Sequence, residues 1–163
     1  MGKIWVHIEV AFAPEGDEAK AAMTQTLKST LTKSVTDKIT AALPADKFSA
    51  SIADKPTAVS QAYNAIKIVA TLNLKVETQG SQMTVTGTLK TQFEAIKAPS
   101  TLNGNLLISG SKGASSQRRG SGEFGVTNGT NEVLDAVVGL LIKQMITNPT
   151  FISYGKKMGL PLS

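Results

Sequence analysis

Ile66-Lys67-Ile68-Val69-Ala70-Thr71-Leu72-Asn73-Leu74-Lys75-Val76-Glu77 places an apolar side chain at every even position. Period two over this length predicts a strand with one face on a core and the other in water. Gln79-Gly80-Ser81 reads as a turn. Beyond it Met83, Val85, Gly87, Leu89 and Phe93 repeat the pattern against Thr84, Thr86, Thr88, Lys90 and Gln92. So short a break predicts an antiparallel hairpin, because a parallel pair needs a long crossover. Pro99-Ser100 and Asn103-Gly104-Asn105 interrupt the chain again, and Leu106 to Ser111 suits a third strand. Residues 65–111 are therefore expected to form an antiparallel meander. One of its faces is rich in Thr and Lys, and the other needs a cover.

Upstream, Ile4, Val6, Ile8, Val10 and Phe12 alternate with Trp5, His7 and Glu9, predicting a strand over 3–12. Ala13-Pro14-Glu15-Gly16 reads as a loop. Met23, Leu27, Leu31, Val35, Ile39 and Leu43 recur every four residues, which predicts one long helix over 17–43, capped at or near Asp17 and ended by Pro44. Phe48, Ala50 and Ile52 suggest a strand at 48–52. A strand, a helix and a strand in that order predict a parallel pair if the two strands are neighbours. Lys55-Pro56 can open a short helix through Tyr63.

Downstream, residues 112–129 are rich in Gly and Ser and read as a loop or ragged edge. A helix over 131–146, capped by Thr130 or Asn131, carries Val133, Leu134, Val137, Val138, Leu141 and Met145 on its core stripe, with Leu140 and Ile142 widening it. Asn148-Pro149 stops it. The tail, 147–163, holds Phe151, Tyr154 and Leu160, enough apolar surface to dock on its own domain or on a partner. The expected fold is a single α+β domain over 1–163: a mainly antiparallel sheet of about five strands with two helices on one face.

The chain has 163 residues, 41% of them hydrophobic and 18% charged, which suits one globular core. It has no cysteine, which excludes disulfides, thiolate nucleophiles and Cys-ligated metal sites. His7 is the one histidine, so multi-His metal sites and most Ser-His triads are excluded within one chain. No apolar run reaches the ~18 residues of a membrane span. The net charge of +5 comes from 17 basic residues spread along the chain, a mild attraction to polyanions. The chain enters a strand almost at once, without a visible signal peptide. It is expected to be periplasmic or envelope-associated if a leader was removed, and otherwise cytoplasmic.

Few motifs carry chemistry. Gly120-Ser121-Gly122-Glu123-Phe124-Gly125 spells the dinucleotide fingerprint, but it falls in the expected loop, with no βαβ unit after it and no acid about twenty residues on. A Gly-rich turn is the simpler reading. Lys112, Arg118 and Arg119 form a candidate anion contact, for which Arg forks are suited. Arg118-Arg119-Gly120-Ser121 also has the form of a basophilic kinase site, and Asn128-Gly129-Thr130 that of a glycosylation sequon. His7 and Glu9 share a strand face and can touch, as a structural pair or as a base and its orienting carboxylate. The Thr/Lys face of the meander lacks the interleaved aromatics of a base-stacking platform.

The order of strand, long helix, short strand, amphipathic meander, small-residue segment (Leu107-Ile108-Ser109-Gly110-Ser111-Lys112-Gly113-Ala114) and apolar helix (Glu132–Met145) resembles the periplasmic domains of two bacterial families. These are the curli-secretion lipoproteins and the lipoprotein activators of penicillin-binding proteins. The resemblance lies in pattern. There is no lipobox Cys, and no binding residue carries over. It implies a non-catalytic envelope module that binds another protein or itself. The expected function is therefore a non-enzymatic interaction or assembly module without a cofactor. Candidate partner contacts are Phe151, Tyr154 and Leu160 of the tail. Two alternatives stand beside it: a polyanion-binding module for nucleic acid or anionic lipid, using Lys112, Arg118 and Arg119, and an enzyme or small-ligand carrier with a pocket between sheet and helices.

Overall fold

A computed structural model describes residues 4–50, 65–95, 106–120, 122–157 and 160. In chain order the elements are β1 (Ile4–Glu15), α1 (Gly16–Ala22), α2 (Gln25–Ala42), β2 (Phe48–Ala50), β3 (Ala65–Gln79), β4 (Gln82–Ala95), β5 (Leu106–Arg119), α3 (Gly122–Ile146) and α4 (Pro149–Lys157). The expected strand at Ile52 and the expected helix from Pro56 to Tyr63 lie outside the described residues.

The strands form one sheet in the order β2-β1-β3-β4-β5. β3, β4 and β5 are the antiparallel meander expected from the period-two runs, with Leu72 opposite Leu89 and Thr86 opposite Ser115. β1 lies parallel to both β2 and β3, with Val6 opposite Ala50 on one side and Ile66 on the other. The α+β class holds, but the sheet is mixed where a mainly antiparallel one was expected. The parallel β1–β2 pair follows from the helical crossover between them. The parallel β1–β3 pair was not visible locally. It joins two strands widely separated in sequence, and nothing in either run specifies its neighbour.

Register puts the alternating large apolar positions of β1, β3 and β4 on one face. Ile4, Val6, Ile8, Ile66, Ile68, Leu72, Leu74, Val85, Leu89 and Phe93 are buried there beneath the helices. At roughly 25 cal/mol per Å2 of apolar surface, this shared core is the main driving force of the fold. α2 contributes Leu27, Leu31, Val35 and Ile39, and α3 contributes Val133, Leu134, Val137, Val138, Leu141, Ile142 and Met145. Lys38 of α2 donates to Asp135 of α3 across 2.5 Å, at the rim of their contact. Leu140, expected on the core stripe, is 53% exposed.

Three boundaries differ from those expected. The helix expected over 17–43 is two helices. The Thr24 hydroxyl accepts from the Leu27 amide and caps α2, while α1 ends just before it. β1 runs through the expected loop to Glu15, and Asp17 and Glu18 lie in the first turn of α1 instead of capping a longer helix. The Gly/Ser-rich stretch 112–129 is largely strand and helix: β5 continues to Arg119 and α3 begins at Gly122. Small residues serve α3 there because it crosses close over β4. A Cβ on Gly129 would stand 2.6 Å from Cγ2 of Val85, and one on Gly125 would stand 3.0 Å from Sδ of Met83. Packing supplies what intrinsic helix propensity lacks.

The fingerprint glycines end up at this junction. Gly120 follows β5, Gly122 opens α3 with φ +61, and Gly125 is the close approach to Met83. That is strand, turn and helix, as the motif requires. However, β5 is a sheet edge, and the first turn of α3 already carries Glu123, which accepts from the Thr24 hydroxyl.

Candidate functional site

The helices cover one face of the sheet. The opposite face carries the polar residues of the alternating runs, and register sets them in rows across four strands. Ala11, Thr71, Lys90 and Ser111 form one row. Ala13, Asn73, Thr88 and Gly113 form the next, and Glu15, Lys75, Thr86 and Ser115 the third. Small side chains at both ends of the middle row leave a depression of about 410 Å3 over Asn73 and Thr88.

The polar groups here are partly pre-oriented. Asn73 Nδ2 donates to Glu15 Oε1 at 3.1 Å, and its amide oxygen has no side-chain partner among the described residues. The hydroxyls of Thr86 and Ser115 bond each other at 3.0 Å. Lys75 sits 3.1 Å from Glu77. Among the described residues Lys90 has no carboxylate partner. The depression therefore offers hydroxyls, an amide, the lysines Lys75 and Lys90 and the carboxylate of Glu15. It suits the reversible binding of a polar surface.

Toward the other end of β1, His7 Nε2 approaches Glu9 Oε1 at 3.5 Å and Lys67 Nζ lies 3.9 Å from Glu9 Oε2. The expected His7–Glu9 contact is thus made, with Lys67 as a second cation on the same carboxylate. Among the described residues, no group of three or more His, Asp or Glu side chains is placed to hold a metal ion. No described helix is long and apolar enough to cross a membrane.

The three candidate anion-binding residues do not converge. Lys112 stands opposite Leu89 and Arg118 opposite Met83, both on the helix side of β5. Arg119 stands opposite Gln82, on the open face. Lys112 and Arg118 are six residues apart on one strand, roughly 20 Å. Arg118 is already engaged, donating from Nη1 to Oε1 of Glu132 at 2.5 Å. Of the candidate tail contacts, Phe151 and Leu160 are buried in the domain's own core and Tyr154 packs half-buried against it. The described residues of the tail thus pack on its own domain.

The open Thr/Lys face of the meander is the surface the structure assembles. Alternation marks Thr86, Thr88, Lys90 and Asn73 as outward, but only register places them around one depression.

No protein-family model matches the chain, and no curated protein sequence matches it. Solved structures resemble it. A Helicobacter pylori homolog of a neuraminyllactose-binding hemagglutinin superposes with a TM-score of 0.57 at 12% identity, over 96% of this chain and 92% of that one. The PelC dodecamer subunit of Paraburkholderia phytofirmans gives 0.40 at 15% identity, over 85% and 89% of the two chains. A hypothetical protein of Chlamydia trachomatis gives 0.44 at 9% identity, over 85% and 97%. Neither the hemagglutinin homolog nor PelC is a curli-secretion protein or an activator of penicillin-binding proteins.

Proposed function

We propose that this chain is a non-catalytic interaction module of a bacterial envelope, and that it binds through the polar open face of its sheet. The observation that carries the reading is the three-row array around Asn73 and Thr88. It is a patterned, partly pre-oriented polar surface that the domain's own helices leave uncovered. Of the other candidate interface, the tail, Phe151 and Leu160 are spent on the core. The likeness of fold to the hemagglutinin homolog supports a binding role, and a bacterial envelope setting rests on the pattern resemblance above. The polyanion reading through Lys112, Arg118 and Arg119 loses its geometric support, because those cations are dispersed and Arg118 is paired.

The test is retention of a partner from an envelope fraction by the immobilised domain, compared with a Thr88→Glu/Lys90→Glu variant. Lys28→Glu, on the exposed side of α2, is the control. Retention that survives the control and is lost with the face variant is expected. Retention lost equally from both would indicate nonspecific charge attraction, and retention unchanged in both would place the interface elsewhere.

A further inference from the structure

A second concavity lies on the helix side, unrelated to the open face. The end of α2, the turn into β2, the last turns of α3 and the start of α4 enclose a groove of about 420 Å3. Phe48, Ile146 and Ile152 give it apolar walls, and Ala42 and Pro44 extend them. Its polar lining residues are Thr147 and two lysines, Lys47 and Lys143, all three exposed. Neither lysine has a carboxylate partner among the described residues. A volume of this size falls in the range of small-molecule sites, and apolar walls with a few polar groups are their usual lining.

Gly139 supplies an independent observation. It sits well inside α3 and lines the groove. Glycine disfavours a helix interior by about 1 kcal/mol relative to alanine. At Gly125 and Gly129 close packing explains it, but a Cβ on Gly139 would meet nothing within 4 Å. What the missing side chain leaves is open groove.

We infer that this groove binds a fatty acid, with the acyl chain along Phe48, Ile146 and Ile152 and the carboxylate at Lys47 and Lys143. The lining selects this class. It has no array of donors and acceptors for a sugar or a heterocycle, and the groups that break its apolar surface are chiefly cationic. Burying methylenes supplies affinity, and the two ammonium groups select an anionic head.

Displacement of cis-parinaric acid fluorescence tests this on the whole chain. Laurate is expected to displace the probe saturably, and at least about tenfold more tightly than dodecanol or dodecyltrimethylammonium, because only the carboxylate gains from the ammonium pair. Gly139→Leu fills the groove and is expected to abolish displacement while the melting temperature stays level or rises. Lys47→Gln/Lys143→Gln is expected to weaken laurate and leave dodecanol unchanged. Absence of saturable binding, binding that survives Gly139→Leu, or equal affinity for laurate and dodecanol would overturn the assignment. The open-face variant Thr88→Glu/Lys90→Glu should not alter laurate binding, so this site and the proposed interaction face stand or fall separately.

Discussion

Arg118, near the end of the edge strand β5, donates to Glu132 in α3 across 2.5 Å, and Ser116 two residues earlier donates to the other carboxylate oxygen. One carboxylate on the helix thus holds two same-face positions of the strand. The Gly/Ser-rich segment between them is largely helix, which begins at Gly122.

That pairing orients more than it stabilises. Arg118 and Glu132 are 41% and 51% exposed, and pairs this open contribute roughly 0–1 kcal/mol. Urea unfolding of Arg118→Ala should show a loss within that range, shrinking further at high salt. The double variant with Glu132→Ala should lose less than the sum of the two single ones.

The glycines of α3 should respond with opposite signs. Gly129→Ala forces a methyl to within 2.6 Å of Val85. Overpacking costs about 1–3 kcal/mol and exceeds the helix-propensity gain. Gly139→Ala meets no neighbour and should stabilise the chain by about 1 kcal/mol. Thermal and urea unfolding of the two variants would check both signs on one helix.

The tail should prove integral to the domain. Phe151 meets Phe93 edge to face, with ring centroids 5.4 Å apart and planes at 78°, and both rings are fully buried. Phe151→Ala should cost about 3–5 kcal/mol, the usual range for a buried Phe. A variant as stable as the parent would mean the tail is free to bind elsewhere.

Lys33 offers a titration test. Its hydrogen bond to Asp37 at 2.8 Å, and then the charge of that carboxylate, hold its pKa above 10.5. A raised lysine pKa stabilises the folded state below the unfolded value, and the contribution is lost as pH rises through the folded one. NMR titration should therefore place Lys33 above an ordinary lysine, and Asp37→Asn should bring it back. Neutral-pH stability should not vary with pH through this group.

The amino-acid order by itself determined which residues face the core. Ile66 to Val76, Met83 to Phe93 and Leu27 to Ile39 are buried as their periods of two and four require, because alternation and helical repeat are local properties of the backbone. It also determined the hairpin between β3 and β4, whose break is too short for anything else. Only the tertiary structure decided that β1 pairs parallel with β3, since partner choice depends on surfaces distant in sequence. Only packing decided that a Gly/Ser-rich run becomes helix: Gly125 and Gly129 are poor helix formers that pack well against Met83 and Val85. The same holds for the candidate sites. Thr88, Lys90 and Asn73 are ordinary outward residues until strand register sets them in adjoining rows. Gly139, Lys47 and Lys143 share a groove only because the ends of α2 and α3 and the start of α4 meet.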